Sequence, residues 1–288
     1  MHQTNEKASS NYDCCCCLDA PVSENFNQID YRGNGLFIMH HYTPNAQSAH
    51  FYKHFHDDYE LLFLINVKGD FVIENHKYSL SPGDLILIKP SKYHYLQVFD
   101  CNYERLVINV TPDFLPDGLV KRAFSNGEFF HLDNLGAVAG NFRKIIEYYH
   151  SFPEQEFVMM TKALLTESLL LIEQFDKTEN DDEFKHLDEF NASVIKYIRE
   201  NLTSIRSLEQ MASDLYVSKS TLYHSFKKTM KISIMQYVRN KKVLHAQKLM
   251  KSGVKPTKAC ALSGFDDYTT FYRSYKLFFG HSPGENEK

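Results

Sequence analysis

Four side chains in the first third of the 288-residue chain could act together on a metal ion or a polar small molecule: His54, His56, Glu60 and His94. His54 and His56 are two residues apart, so on a strand they point to one face. Glu60 follows His56 by one short stretch, and His94 comes after the chain-breaking Pro90. Neutral imidazoles beside a carboxylate suit Zn, Fe, Mn or Ni. The same groups without a metal form a polar pocket whose histidines hydrogen-bond a ligand or each other. The residues alone leave both open. His40, His41 and His50 stand outside this spacing and are expected to be structural or on the surface. The cysteines offer less. Cys14 to Cys17 are adjacent, whereas zinc ligands come in pairs about two to four residues apart, and Cys101 and Cys260 are isolated. The run is expected to be a reactive stretch of a polar tail, not a disulfide or zinc framework.

A second concentration of chemistry is positive charge. Residues 1–180 carry 14 Lys and Arg against 24 Asp and Glu, residues 181–288 carry 18 against 12, and residues 205–281 carry 14 against 4. A basic C-terminal part behind an acidic N-terminal part points to a polyanionic partner for the former, or to a solvated basic surface.

These groups must be held by about two domains, at ~150 residues each. Residues 1–30 are polar and aperiodic and are expected to be a loose leader. The stretch MHQTNEKASSNYD lacks the apolar core of an export signal, and the densest apolar run, Leu61 to Ile65, is far shorter than the ~18–20 residues of a membrane helix. The expectation is a cytoplasmic chain with no membrane partner. From Leu36 to Val110 short apolar runs alternate with turn residues: LFIMHHY, ELLFLINV, DFVIEN, DLILI, YLQVF and ERLVINV, with Ser81-Pro82-Gly83-Asp84 as the strongest break. Such spacing predicts a β-barrel or jelly roll. After Gly136 the period becomes helical, over 137–151 and 154–176, divided by Pro153. The second helix is apolar on two sides: Phe157, Met160, Leu164, Leu171 and Phe175 on one, Val158, Leu165, Leu169 and Ile172 on the other. It must be covered twice, by the barrel and by either its own domain or the same helix of a second chain. The barrel with its trailing helices is thus placed at 31–177, a charged linker at 178–186, and an all-helical domain at 187–284.

Six helices of that domain are delimited by their caps. The first covers about 187–201. The second opens at Ser207 with Gln210 as its capping-box partner, and the third at Ser218 with Leu222 and Phe226 inward. The fourth opens at Ser233 and runs to about Lys251, the fifth begins at Pro256, and the sixth follows Asp266-Asp267 and buries Phe271 and Tyr275. Short helix, tight turn and second helix over 207–229, repeated over 256–279, is helix-turn-helix geometry, whose second helix enters the DNA major groove. The inward residues leave Lys219, Ser220, Tyr223, His224, Lys227 and Lys228 outward on the first reading helix, and Tyr268, Thr269, Tyr272 and Arg273 on the second. Ser220, Tyr223 and His224 are expected at base edges and Lys227 and Lys228 at phosphates. Arg273 is the candidate for a bidentate guanine contact.

Residues 207–283 resemble the DNA-binding domain of the AraC/XylS family of transcription regulators. The resemblance is carried by SLEQMA at 207–212, SKSTLYHSFKK at 218–228, YVRNKKVLHAQKLM at 237–250 and SGFDDYTTFYRSYKLFFGHSP at 263–283. It departs from the family at Lys231, where glycine is usual, at Lys242, where arginine is frequent, and at Ala259-Cys260, usually Ile-Ala. It implies two helix-turn-helix units on one linker helix reading successive major grooves, double-stranded DNA and a small-molecule effector as partners, a homodimer, and room for RNA polymerase as a further partner. The histidine spacing together with Pro82-Gly83-Asp84 resembles the two cupin motifs, although the glycine before the first is missing and Ser91-Lys92 replaces another. In metal-binding cupins these positions ligate, so His54, His56, Glu60 and His94 are either effector-binding groups or a divalent-metal site. No cofactor is otherwise expected.

The leading function is an effector-controlled, sequence-specific transcription regulator with no catalytic residues. The alternative is a metal-dependent cupin enzyme with an appended DNA-binding domain. A purely architectural DNA binder leaves the cupin-like domain without a purpose.

Overall fold

The computed structural model describes residues 26–33, 35–46, 49–50, 56, 58–74, 76–99, 101–132, 135–175, 185–186 and 189–285. They fall into two compact units divided between 187 and 188. The expected ligand His54, the cysteine run Cys14 to Cys17 and most of the expected linker lie outside the described residues.

The N-terminal unit is an antiparallel β structure followed by helices. Its strands are β1 (Phe26–Gly33), β2 (Leu36–Ala46), β3 (Ala49–His50), β4 (Tyr59–Asn66), β5 (Gly69–Ile73), β6 (His76–Leu80), β7 (Asp84–Ile88), β8 (His94–Val98), β9 (Cys101–Val110), β10 (Phe129–His131) and β11 (Lys185–His186). They form one sheet in the order β1-β2-β9-β4-β7-β10 and another in the order β11-β6-β5-β8-β3. The helices are α1 (Leu119–Asn126), α2 (Gly136–Ser151) and α3 (Glu154–Gln174). The runs ELLFLINV and DLILI are continuously apolar because the six-stranded sheet is buried on both faces. Leu61, Phe63, Leu85, Leu87, Leu106 and Ile108 pack with α1–α3 in one core. The alternate residues Leu62, Leu64, Ile86, Ile88 and Val107 meet Phe71, Ile73, Leu96 and Val98 of the second sheet in another. Gly69 lets β5 and β8 approach: a Cβ there would lie 2.2 Å from the Gln97 carbonyl oxygen.

Three expectations need correction. The leader expected over 1–30 overlaps β1, since residues 26–30 already pair with β2; alternation of only Ile29 and Tyr31 among polar residues disguised an edge strand. The linker expected over 178–186 overlaps β11, whose Lys185 and His186 pair with Lys77 and His76 of β6. The two apolar sides of α3 are largely one interior: Phe157, Leu164, Leu165, Leu169 and Ile172 all enter the same core. What stays in solvent is Met159 at 70%, Leu170 at 44% and, from one expected side, Leu171 at 36% exposure.

The C-terminal unit contains α4 (Glu189–Asn201), α5 (Leu208–Asp214), α6 (Lys219–Met230), α7 (Ile234–Lys251), α8 (Pro256–Leu262) and α9 (Tyr268–Phe279). Ser207, Ser218, Ser233 and Asp267 each accept a backbone N–H in the first turn that follows, from Gln210, Thr221, Gln236 and Thr270. Gln210 returns its side-chain oxygen to the Arg206 N–H, 2.9 Å away. The two helix-turn-helix turns have the same hydrogen bonds. In the first, Tyr216 N–H donates to Ser213 and Val217 N–H to Ala212; in the second, Gly264 N–H donates to Ala261 and Phe265 N–H to Cys260. Both are Schellman turns, which require a left-handed residue. That residue is Tyr216 (φ 56°) in one and Gly264 (φ 79°) in the other.

Candidate functional site

The first site lies between the two sheets. Glu60 is the second residue of β4 and His94 the first of β8, and both are buried. His56 precedes β4 and is tied to the turn before β8 by the Ser91 N–H, which donates to the His56 carbonyl at 2.7 Å. Ser91 adopts φ 64° there, which explains why glycine is usual at this motif position. His56 Nε2 lies 2.7 Å from Glu60 Oε2, and His94 Nε2 lies 4.0 Å from the same oxygen. The imidazoles meet edge to face at 4.9 Å, and His94 stacks on Phe71.

The outer nitrogens fix the chemistry. His56 Nδ1 donates to the Asp58 carbonyl at 3.0 Å, and His94 Nδ1 donates to the Lys92 carbonyl at 2.9 Å. A carbonyl only accepts, so each Nδ1 carries its proton and each Nε2 turns towards Glu60. This is the orientation that outer partners impose on metal-binding imidazoles. Burial pulls the His56 pKa down, but the Glu60 carboxylate and Asp58 outweigh it and hold it above the ordinary histidine value. Without a metal, His56 Nε2 faces the carboxylate directly. With one, two Nε2 atoms and a carboxylate oxygen, all within 4.8 Å of one another, offer the donor set of a two-histidine, one-carboxylate centre. A divalent ion therefore fits these residues. The expected effector-binding residues His56, Glu60 and His94 are thus brought together.

Spacing did not point to a second polar group in the same interior. Arg105 of β9 is opposite His41 of β2, and both are buried. The Arg105 guanidinium lies 5.5 Å from the centre of the Tyr103 ring. His41 Nε2 is 2.7 Å from Thr43 Oγ1. Burial, then Arg105 and His40, push the His41 pKa down to about 4. Burial holds the Tyr103 phenol up at about 12 against the pull of Arg105. His41 is thus a neutral, interior residue. His40 is buried too, with Nε2 2.9 Å from Glu104.

The second site is the outward face of α6 and α9. Leu222 and Phe226, and Phe271 and Tyr275, are buried. Lys219, Ser220, His224, Lys227 and Lys228 are exposed on α6, with Tyr223 half-buried; Tyr268, Thr269, Tyr272 and Arg273 are exposed on α9. Lys219 pairs with Glu209 of α5 at 2.9 Å, bridging the two helices of the first unit. Lys227 Nζ donates to Tyr223 Oη at 3.1 Å. Both helices therefore present polar and aromatic side chains from a capped N-terminal end, the end that meets base edges in this motif.

Two family models match: an AraC-like ligand binding domain over residues 39–166 and a helix-turn-helix domain over residues 211–288. The chain belongs to the AraC family of transcription regulators. It is 22% identical over 274 residues to the Msm operon regulatory protein of Streptococcus mutans, covering 91% of this chain and 96% of that one. The multiple antibiotic resistance protein MarA of Escherichia coli is 34% identical over 92 residues, 32% of this chain and 72% of its own. Among solved structures, apo ToxT from Vibrio cholerae aligns over 88% of this chain and 97% of its own with a TM-score of 0.42 and 14% identity. The relatives are regulators, and the alternative of a cupin enzyme with an appended DNA-binding domain is set aside. No helix among the described residues is long and apolar enough to cross a membrane.

Proposed function

We propose that this AraC-family regulator binds a small-molecule effector between the sheets of its N-terminal unit and reads a two-part DNA site with α6 and α9. The observation that carries the effector assignment is the convergence of His56, Glu60 and His94 from both sheets on one buried point. Buried polar groups in a mostly apolar interior are the usual make-up of a ligand site. A divalent ion held by His56, Glu60 and His94 would supply a Lewis-acid anchor for an effector oxygen. Arg105, Tyr103 and His41 would supply a permanent cation and two neutral hydrogen-bonding groups.

Within the N-terminal unit, register connects this pocket to its last described strand. His94 of β8 is opposite Ile73 of β5, Ile73 is opposite His76 of β6, and His76 is opposite His186 of β11. The last residues before the second unit are therefore in the same cross-strand row as a pocket histidine. A homodimer would use the exposed apolar residues Met159, Leu170 and Leu171 of α3, and RNA polymerase remains a further partner in this reading. The protein would act in the cytoplasm, where its DNA is.

The test is selection of bound sites from random DNA by the purified chain, with and without a metabolite panel. A two-part motif whose affinity shifts with one compound is the expected result. A motif unaffected by any compound, together with no binding of those compounds to the free protein, overturns the effector assignment.

A further inference from the structure

Lys242 is in the middle of α7, the helix that connects the two helix-turn-helix units, and it is only 7% exposed. Its ammonium donates to the Ile205 carbonyl at 2.6 Å and to the Gly264 carbonyl at 2.7 Å. Ile205 belongs to the loop that enters α5, in the first unit. Gly264 is the left-handed residue between α8 and α9, in the second. One side chain thus holds a backbone carbonyl from each reading unit.

The surroundings reinforce the junction. Arg206 Nη1 donates to the Thr203 carbonyl at 2.6 Å and to the Gly264 carbonyl at 3.3 Å. Arg206 Nε pairs with Asp266 at 2.9 Å, one residue before the cap of α9. The loops themselves touch backbone to backbone, since a Cβ on Gly264 would lie 2.2 Å from the Thr203 oxygen. Burial lowers the Lys242 pKa below the ordinary lysine value, Arg206 adds to this, and Asp266 opposes it. Burying an ammonium is costly unless hydrogen bonds offset it. An apolar side chain would fill the space at less cost, but it would leave the Ile205 and Gly264 carbonyls without the ammonium that joins them.

We infer that Lys242 is a positioning residue for DNA reading: by joining both entry loops it fixes the phase between α6 and α9, and with it the number of base pairs between the two half-motifs. This rests on α6 and α9 being the reading helices. One base pair changes the separation by about 3.4 Å and the rotation by about 34–36°. A rigid junction cannot follow that change without losing a base contact, which weakens binding by about 5- to 150-fold.

The experiment uses the full chain and a two-part motif selected from random DNA. Dissociation constants are measured on the selected duplex, on duplexes with one base pair added or removed between the half-motifs, and on each half-motif alone. The wild type is expected to lose about tenfold or more on the altered spacings. Lys242→Met is expected to lose less than about threefold, with half-motif affinities within about twofold of wild type. Lys242→Arg, which keeps a charged donor, is expected to retain the wild-type spacing penalty. Arg206→Gln, at an exposed position, is expected to lower that penalty part-way. Folded Lys242→Met with the wild-type penalty overturns the inference. If Lys242→Met does not fold, Arg206→Gln with an unchanged penalty overturns it instead. Selection of a single-part motif overturns the two-helix reading itself, and the spacing inference with it.

Discussion

Tyr216→Gly should stabilise the C-terminal unit, and the two equivalent turns make the magnitude calculable. Tyr216 occupies the left-handed position of the first Schellman turn at φ 56°, where the second turn has Gly264. A side chain in this conformation costs about 1–2 kcal/mol through the clash of Cβ with the following carbonyl. Glycine removes that cost but gains freedom in the unfolded chain, worth about 0.5–1 kcal/mol. The tyrosine is 95% exposed, so almost no burial is lost. The net gain is about 0.5–1 kcal/mol, and for a unit of roughly 100 residues it should raise the midpoint by about 2–8 °C. Calorimetry of the full chain, following the transition of the helical unit, measures it. A fall in that midpoint, or no change, refutes the strain argument. Lys231 sets up the same test, because it caps α6 at φ 56° where α9 ends in Gly280 at φ 78°.

Four further outcomes are expected. Arg273→Ala should relax specificity at one base position by about 1–3 kcal/mol, whereas Lys227→Ala should weaken all sequences alike; uniform weakening by Arg273→Ala in a binding-site selection would make Arg273 a phosphate contact. If ~6–10 phosphates are neutralised, affinity should drop by about 10³–10⁵ between 50 and 200 mM salt, and a flat titration contradicts the charge argument. His41 binds a proton at about 4 when folded and at 6.5 in its ordinary state. The stability it contributes is therefore full above that ordinary value and is lost as pH falls towards 4, by about 3 kcal/mol. His41→Gln should flatten that part of the acid slope in urea titrations, and identical slopes count against it. Met159→Glu with Leu170→Glu should yield monomers by light scattering without loss of fold, whereas Leu165→Ala, inside the core, should cost about 2–5 kcal/mol of stability; an unchanged dimer in the first variant removes α3 as the interface.

The fold was legible where a local rule acts alone. Each of Ser207, Ser218, Ser233 and Asp267 caps the helix whose start it marked, because a side-chain oxygen and a free first-turn N–H need nothing from the rest of the chain. Elements that draw their stability from tertiary packing were not legible. α1 is short, its sequence LVKRAFSN holds only four buried residues, and they are buried because α3 and the six-stranded sheet cover them. β10 has three residues and exists by pairing with β7, a partner more than forty positions earlier. The helix period of α3 was clear, but a period shows that a face is apolar and not what covers it. Leu165 and Leu169, on the second apolar side, are covered by their own domain.

The candidate sites divide along the same line. His56, Glu60 and His94 were visible because their spacing follows a motif, and Ser91 shows why: the turn before β8 needs a left-handed residue whose N–H reaches the His56 carbonyl. Arg105 was hidden in ERLVINV, where alternation alone is symmetric between the two faces of a strand. Leu106 and Ile108 could equally have faced the interior between the sheets, which would have put Arg105 against the helices. The decision is made by α2 and α3, which cover the face carrying Leu106 and Ile108 and turn Arg105 and Tyr103 inward with His41. The polar lining of the pocket is therefore a consequence of how the layers stack. A sequence reading that assigned the helical layer to one face first would have found Arg105 from the parity of its neighbours.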